Sequence, residues 1–255
     1  MDLPAAPDDV FSNDHRLSAW AATVAGERLE MLRGTGHEDL KAAGDALGQQ
    51  ILMHLLASVR PDDAVLSEEG KDDLTRLTRK RVWIVDPLDG TREYSEPPRD
   101  DWAVHVALWE DGDLAAGAVA QPGVSTTFST AEPPVVPERS SERPRIAVSR
   151  TRPPEFVEAL AEAIGADLVP MGSAGAKVIS VARDVTDVYV HAGGQYEWDS
   201  AAPVVVARAA GLHTSRADGK PLAYNQADVW LPDLLVCRPE LADAVISFVR
   251  DHWSR

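Results

Sequence analysis

The spacing of apolar residues alternates between helical and strand-like periods along this chain. Near the N-terminus apolar residues recur every three or four positions, as on one face of an amphipathic helix. The helices predicted there span residues 14–33 and 38–59. Shorter apolar or alternating runs follow and predict an antiparallel sheet under these paired helices. The strands predicted in this part of the chain are 64–66, 82–85, 102–109, 114–121 and 124–130.

A segment rich in Pro, Glu and Ser at 131–144 separates this pattern from a regular alternation of strands and helices. The predicted strands are 145–148, 167–169, 187–191, 212–214 and 233–237, and the predicted helices are 153–164, 173–182, 199–210 and 239–253. Such alternation is typical of layered α/β architecture. We therefore expect an α/β fold (α+β layered) in one domain over 10–255, with an N-terminal half of about 10–142 and a C-terminal half of about 143–255.

Composition and charge narrow the class of protein. Of 255 residues, 44% are hydrophobic and 26% are charged, as in soluble globular proteins. We expect no membrane span, because no apolar run approaches the roughly 20 residues that one needs. A net charge of −16 disfavours binding to nucleic acid or anionic membranes, although bound divalent cations would still admit an anionic substrate. A lone cysteine, Cys237, and an N-terminus without signal-peptide features predict a cytoplasmic protein.

Candidate chemistry begins where the strand at 82–85 ends. Asp86 and Asp89 lie there beside apolar residues, and a carboxylate buried without a partner is costly, so a bound cation would offset the cost. The structural alternative is a turn in which the aspartates bind nearby backbone. Gly90 would let the backbone approach a phosphate closely, and the Thr91 hydroxyl would either orient a water or cap the turn.

Further acidic residues lie elsewhere in the sequence. Glu68 and Glu69 follow the strand at 64–66, and two adjacent like charges favour a site that holds a cation. Asp199 begins the helix predicted at 199–210, where it would serve as an N-cap or as a metal ligand. Asp45 lies off the apolar stripe of its helix, so packing does not require it. Exposed surface acids are the ordinary alternative for each of them.

Taken in order, these residues resemble the inositol monophosphatase family. The run 86–91, Asp-Pro-Leu-Asp-Gly-Thr, is similar to one motif of that family, and the run 198–202, Trp-Asp-Ser-Ala-Ala, is similar to a second. The pair Glu68-Glu69 and the helical Asp45 fall at the matching upstream positions. The resemblance covers essentially the whole chain, and it implies a sugar-phosphatase-like αβαβα sandwich of two intimate halves.

Two further runs resemble the CysQ-type branch of this family, the 3′-phosphoadenosine-5′-phosphate phosphatases. They are Thr-Arg-Glu-Tyr at 91–94 and Gly-Ser-Ala-Gly-Ala-Lys at 172–177, although the branch often has Ser-Leu-Lys in the second run. The resemblance implies magnesium-dependent hydrolysis of the 3′-phosphate of 3′-phosphoadenosine 5′-phosphate, with its sulfated form as a second candidate substrate. The alternatives are an inositol or sugar-phosphate phosphatase, and a silent metal- or ligand-binding regulator.

The resemblance also assigns residue roles. The implied ligands of two or three Mg²⁺ ions are Glu68, Asp86, the Leu88 carbonyl, Asp89 and Asp199, with Glu69 supporting them. The implied catalytic groups are Asp45, which would accept a hydrogen bond from Thr91, together with Glu68 and Thr91, which would position the attacking water. The implied substrate-binding residues are Gly90, Thr91, Arg92, Gly172, Ser173 and Lys177.

Several interpretations stay open at this level. A second phosphate would suit basic side chains, and the candidates are Arg92, Arg99, Lys177 and Arg216. Adenine would suit an aromatic face, and the candidates are Tyr94, Trp198 and Tyr224. We interpret His105 as a partly buried, hydrogen-bonded histidine, because magnesium prefers oxygen ligands. The expected partner is a small phosphorylated nucleotide, with neither nucleic acid nor membrane, and a homodimer is common in the family.

Overall fold

Two five-stranded sheets alternate with three layers of helices in the computed structural model, which describes residues 3–151, 153 and 156–253. The α-helices of this described part are α1 (Asp14–Arg33), α2 (Leu40–Val59), α3 (Thr91–Tyr94), α4 (Phe156–Ile164), α5 (Ala174–Ala182), α6 (Glu197–Ala209) and α7 (Ala242–His252). Helices α1 and α2 cover one sheet, α5 and α6 lie between the sheets, and α4 and α7 lie at the far side. This αβαβα order confirms the predicted fold class.

The first sheet has the strand order β1-β2-β3-β4-β5. Its strands are β1 (Ala64–Ser67), β2 (Arg81–Asp89), β3 (Ala103–Glu110), β4 (Asp113–Gln121) and β5 (Thr126–Ser129). The predicted hairpin is confirmed as β3 and β4, and the predicted third strand pairs antiparallel with β4. Only the β1–β2 pair is parallel within this sheet, so β1 and β2 end at the same edge.

The second sheet has the strand order β7-β6-β8-β10-β9. Its strands are β6 (Arg145–Ser149), β7 (Asp167–Met171), β8 (Val188–Tyr196), β9 (His213–Ser215) and β10 (Trp230–Cys237). Parallel pairing joins β6 to β7 and β8, whereas β10 runs antiparallel to both of its neighbours. In sequence, all strands of the first sheet precede residues 130–144 and all strands of the second sheet follow them. No helix in the described ranges is long and apolar enough to cross a membrane.

Alternation along the strands sorts side chains between the layers. On β3, Val104, Val106 and Leu108 face α1 and α2, whereas Ala103 and Ala107 belong to the core around α5 and α6. His105 is in phase with this second set, so it points toward the middle layer. It is fully buried, which corrects the prediction of partial burial.

Several element boundaries differ from the prediction, and three of these differences concern the site. Strand β2 continues to Asp89 rather than ending at 85, strand β8 continues to Tyr196 rather than ending at 191, and α6 begins at Glu197 rather than at Asp199. The start of the helix predicted at 153–164 falls partly outside the described residues. The strand ends were predicted from the ends of the apolar runs, but backbone pairing in β2 and β8 continues through the residues that follow those runs.

Two glycines let α2 lie directly against the end of β2. A Cβ at Gly44 would come within 2.7 Å of Leu88 Cδ2 and 2.8 Å of Tyr94 Cε1. A Cβ at Gly48, one helical turn later, would lie 2.7 Å from the Pro87 carbonyl oxygen. Both distances are shorter than real Cβ contacts, so any larger residue would push the helix outward. This close approach brings Asp45 to the end of β2.

We therefore expect Gly48→Ala to destabilise the protein by about 1–2 kcal/mol, because overpacking outweighs the roughly 1 kcal/mol by which alanine is preferred in a helix interior. Urea unfolding followed by circular dichroism measures this difference. Gly34→Ala is the matched control, since a Cβ there meets nothing closer than 3.5 Å and φ is −70°. Equal or greater stability of the Gly48 variant would contradict the proposed packing.

Candidate active site

The parallel pairing of β1 and β2 brings two acidic residues to the same edge of the first sheet. Ser67 is paired with Val85, so Glu68 and Asp86 follow at neighbouring positions. The backbone N–H of Glu68 donates to the Val85 carbonyl at 3.4 Å. Asp86 is 1% exposed, whereas the Glu68 side chain is open to solvent. The pair therefore joins a buried carboxylate to an accessible one.

A bulge in β2 places Asp86 and Asp89 on the same face. Residues three apart on a regular strand point to opposite faces, because side chains alternate. Here Asp86 pairs with His105 and Asp89 pairs with Ala103, so β2 contains one more residue than β3 between these pairs. The Leu88 N–H donates to Asp86 Oδ1 at 3.0 Å within the bulge. Both carboxylates consequently point toward the middle helical layer.

Helix α6 supplies a third carboxylate, which is half-buried, from the other half of the chain. Tyr196 is the N-cap and Asp199 is the third residue of the helix, so the prediction of Asp199 as the N-cap residue is wrong. Asp199 Oδ2 accepts the Tyr196 N–H at 2.6 Å, and a negative charge is favourable at a helix N-terminus. Ligand atoms of Asp86, Asp89 and Asp199 all lie within 4.8 Å of one another, close enough to hold a metal ion.

Asp89 is held by donors from the start of α5. Its Oδ2 accepts the Ser173 hydroxyl at 2.5 Å and the Gly175 N–H at 2.7 Å, and its Oδ1 accepts the Ala174 N–H at 3.2 Å. The carboxylate is only 8% exposed. These hydrogen bonds fix its position and connect the first sheet to the middle helical layer through a single side chain.

The contacts of His105 with Trp198 and Asp89 were not predicted from the sequence. Its Nδ1 donates to the Trp198 carbonyl at 3.1 Å, and its Nε2 lies 3.3 Å from Asp89 Oδ2. Burial lowers the pKa of His105, which favours the neutral ring. A neutral ring protonated at Nδ1 directs the Nε2 lone pair toward Asp89, which adds to the negative field of the cluster. The alternation along β3 could have predicted this position, because His105 falls on the same face as Ala103 and Ala107.

Asp45, in the second turn of α2, meets Thr91 just after the end of β2. The Thr91 hydroxyl lies 3.3 Å from Asp45 Oδ1 and 3.2 Å from the Leu88 carbonyl oxygen, and both are acceptors. The structure thus contains the expected hydrogen bond between Thr91 and Asp45. Gly90, with φ +84°, starts the short helix α3, so the turn there uses a conformation that favours glycine.

The clustered carboxylates hold protons more tightly than isolated ones. Burial, followed by the charges of Glu68 and Asp89, raises the pKa of Asp86 well above its usual range. Burial and the Asp89 charge raise the pKa of Asp199 to about 7. Burial is also the main cause that raises the pKa of Asp45 to about 6. Although Glu68 is exposed as a residue, its carboxyl group lies beside Asp86, and the resulting desolvation raises its pKa to about 7. A bound cation would reverse these shifts, so the oxygen-only donor set fits a hard divalent ion.

The predicted substrate-binding residues have different surroundings. Arg92 is exposed, and the described residues provide its guanidinium with no carboxylate partner. Ser173 is bound to Asp89, and the Gly172 N–H donates to Asp101 Oδ2 at 2.6 Å. Lys177 is 7% exposed, and its Nζ donates to the Gly172 carbonyl at 3.2 Å. Their roles in substrate binding stay predictions.

Burial and ion pairing exclude some of the residues that the sequence offered for binding the second phosphate and the adenine base. Tyr94 is fully buried and Tyr224 is 3% exposed, so their proposed stacking on adenine is wrong. Arg99 is paired with Asp101, and Arg216 forms two hydrogen bonds with Asp233, at 2.9 and 2.7 Å. Among the three aromatic residues considered for stacking on adenine, Trp198 is partly exposed.

Comparison with known proteins places the chain in a family. The model of the inositol monophosphatase family matches residues 16–254. The chain belongs to the inositol monophosphatase family. The described fold agrees with inositol monophosphatase II from Staphylococcus aureus at a TM-score of 0.78, with 21% identity over 92% of this chain and 95% of that one. This likeness shows a shared fold.

Two curated members of the inositol monophosphatase family are similar in sequence. The chain is 49% identical over 226 residues to the 3′-phosphoadenosine 5′-phosphate phosphatase of Mycobacterium tuberculosis, covering 84% of this chain and 83% of that protein. It is 32% identical over 208 residues to the 3′(2′),5′-bisphosphate nucleotidase CysQ of Escherichia coli, covering 74% and 81%. These matches confirm the resemblance to the CysQ-type branch.

The raised pKa values predict how pH and magnesium change stability. Asp199 has a pKa of about 7 in the folded protein against an ordinary 3.8, so the folded state binds its proton more tightly. The resulting stability is fully present below about pH 4 and is lost as the pH rises to about 7. We expect Mg²⁺ to raise Tm more at about pH 8 than at about pH 5, since the ion favours the deprotonated cluster.

Thermal unfolding in EDTA and in Mg²⁺ measures this difference. Asp86→Asn should raise Tm in EDTA, because it removes a buried like charge, and should reduce the stabilisation by Mg²⁺. Asp62→Asn, on the exposed loop before β1, is the control and should change neither quantity. An equal Mg²⁺ effect in wild type and the Asp86 variant would contradict the metal assignment.

Proposed function

We propose that this chain is a magnesium-dependent phosphatase that removes the 3′-phosphate of 3′-phosphoadenosine 5′-phosphate and leaves AMP and inorganic phosphate. The observation that carries this proposal is the cluster of Asp86, Asp89 and Asp199, whose ligand atoms lie within 4.8 Å of one another beside Thr91. The names of the two sequence relatives support the nucleotide as substrate. The sulfated nucleotide, 3′-phosphoadenylyl sulfate, contains the same 3′-phosphate and is a second expected substrate.

The acidic cluster would hold two or three Mg²⁺ ions. The residues that would bind them are Glu68, Asp86, the Leu88 carbonyl, Asp89 and Asp199. When bound, such ions neutralise charge on the phosphoryl oxygens and make water more acidic, so that hydroxide is available near neutral pH. The protein contributes fixed oxygen atoms, which the bulge in β2 and the start of α6 hold in place.

Thr91 and its neighbours would orient the attacking water. The Thr91 hydroxyl has one proton, and both Asp45 and the Leu88 carbonyl are positioned to accept it. Its lone pairs then face outward as acceptors for a water molecule. Glu68 is exposed at the same sheet edge, where its carboxylate would accept a hydrogen bond from the attacking water and help to position it.

The backbone at Gly90 and Thr91 would bind the transferred phosphate. The first helical hydrogen bond of α3 runs from the Tyr94 N–H to the Gly90 carbonyl at 2.9 Å, so the preceding N–H groups have no partner within the helix. The local space is narrow, because a Cβ at Gly90 would lie 3.1 Å from Ser173 Cβ. We assign to Arg92 and Lys177 the binding of the remaining negative charge of the nucleotide.

Two further expectations belong to this proposal. We infer a cytoplasmic location from the lone cysteine, Cys237, which is buried as a free thiol. We also expect a homodimer, as is common in the family. The single domain over 10–255 and its two halves stay predictions.

Phosphate release from a panel of esters tests the proposed substrate. With Mg²⁺, we expect 3′-phosphoadenosine 5′-phosphate to be hydrolysed with a kcat/KM at least about tenfold above that of inositol 1-phosphate, fructose 1,6-bisphosphate or 5′-AMP, and EDTA should abolish every activity. Preference for inositol 1-phosphate would overturn the nucleotide assignment but keep the metal site. The absence of release from all esters would support a silent binding protein instead.

Thr91→Ala should lower kcat about 100-fold, because it removes the group that orients the water. Thr91→Ser retains the hydroxyl and should restore most of the activity. The Mg²⁺-dependent rise in Tm should be the same in both variants, since neither changes a carboxylate. Loss of that rise in Thr91→Ala would assign Thr91 to the metal site rather than to water positioning.

A further inference from the structure

Three aromatic side chains gather where β8 ends and β10 begins. Tyr196 stacks on Trp198, with ring centroids 4.8 Å apart and planes at 15°. Tyr196 also meets Trp230 edge to face, with centroids 5.4 Å apart and planes at 78°. Tyr196 and Trp230 are opposite each other in the antiparallel β8–β10 ladder, an arrangement in which side chains share a face and interact directly.

Two rings of this group, Tyr196 at its centre and Trp230 beside it, are unusually open to solvent. Tyr196 is 44% exposed and Trp230 is 45% exposed, although both belong to strands of the second sheet. Neighbouring exposed aromatic rings on a folded surface commonly mark a binding site, because flat rings offer a large contact area. We call Tyr196 and Trp230 the aromatic platform.

The backbone beneath the platform is built for Trp230. A Cβ at Gly194 would lie only 1.5 Å from Trp230 Cζ2, so the indole ring lies directly against the backbone there. Gly193 and Gly194 have φ values of +104° and +87°, a conformation that favours glycine. The His191 ring bonds the Gly194 carbonyl at 2.8 Å, which further fixes this turn of the strand. The Trp230 indole ring is therefore packed in a fixed position against this backbone.

The platform is joined directly to the acidic cluster. The Tyr196 N–H donates to Asp199 Oδ2 at 2.6 Å, so the residue that contributes the ring also holds a metal ligand. Trp198, on which Tyr196 stacks, accepts a hydrogen bond from His105, whose other nitrogen lies 3.3 Å from Asp89. Because Tyr196 and Asp199 are three residues apart and joined by this hydrogen bond, the platform lies close to the place where the phosphate of a small molecule would bind.

We propose that the platform of Tyr196 and Trp230 is the subsite for the purine base of the substrate. This inference rests on the proposed nucleotide phosphatase activity and specifies its substrate selection. A base offers a π face to the rings, and stacking of this kind requires no particular hydrogen-bonding edge. The platform would thereby favour nucleotides over phosphate esters that lack an aromatic group.

Kinetics and direct binding together test the platform. The variants are Trp230→Leu and Tyr196→Leu, with Tyr196→Phe to retain the ring. Phe11→Leu is the matched control, because Phe11 is an aromatic residue with 54% exposure in the N-terminal 3₁₀ helix. The substrates are 3′-phosphoadenosine 5′-phosphate and glycerol 2-phosphate, which has no base. Isothermal titration calorimetry with AMP and Mg²⁺ measures binding independently of turnover.

We expect the ratio of the nucleotide KM to the glycerol 2-phosphate KM to rise about tenfold in each leucine variant, within the range measured for loss of one base-stacking residue. The Kd of AMP should rise by a similar factor. Tyr196→Phe and Phe11→Leu should keep the wild-type ratio. A structural role in holding Asp199 would instead raise both KM values together and weaken stabilisation by Mg²⁺, which would overturn the proposal.

Other outcomes separate this proposal from the proposed function. An unchanged KM ratio in both leucine variants, with normal turnover, would overturn the platform alone. Weaker AMP binding in the variants, with no turnover of the nucleotide by wild type, would support the platform and overturn the phosphatase. Size-exclusion chromatography detects the competing occupant, a second copy of this chain. Conversion of a dimer to a monomer by Trp230→Leu would overturn the base subsite.

Discussion

The repulsion among the buried carboxylates is the constraint on which the rest of the site depends. Asp86, Asp89 and Asp199 come from two distant parts of the chain, yet they share a volume only a few ångströms across. Like charges that are desolvated together oppose folding, unless they bind protons or a cation. The middle helical layer must therefore hold them in place by other interactions. It does so with hydrogen bonds that each carboxylate accepts from rigid backbone.

Each of these hydrogen bonds depends on a local departure from regular structure. The Leu88 N–H reaches Asp86 because β2 bulges, and the Gly175 N–H reaches Asp89 because α5 starts against the sheet. A Cβ at Gly175 would lie 2.0 Å from His105 Nε2, so the α5 helix can approach the sheet only with glycine at this position. These contacts hold the carboxylates close together, where a bound cation would relieve their repulsion.

The apolar period predicted nearly every element, because the αβαβα layers bury one face or both of each strand and helix. The ordered motifs predicted which acids come together. The bulge was not visible, since Asp86 and Asp89 three apart on a regular strand would diverge. The fit of α2 also escaped prediction, because Gly44 and Gly48 alone do not show what lies opposite them. Burial likewise removed Tyr94 as a stacking candidate, and it depends on distant residues such as Leu29.

The start of α6 connects the two ends of the proposed substrate site. Tyr196 is the N-cap residue, its N–H donates to Asp199 Oδ2, and its ring belongs to the aromatic platform, while Asp199 belongs to the acidic cluster. A shift of this helix start would therefore move the ring and the carboxylate together. If the platform binds the base, the short backbone distance between Tyr196 and Asp199 would select substrates whose base and phosphate match it. One part of the base subsite and one part of the metal site would then share the start of α6, while the remaining residues of each come from other elements.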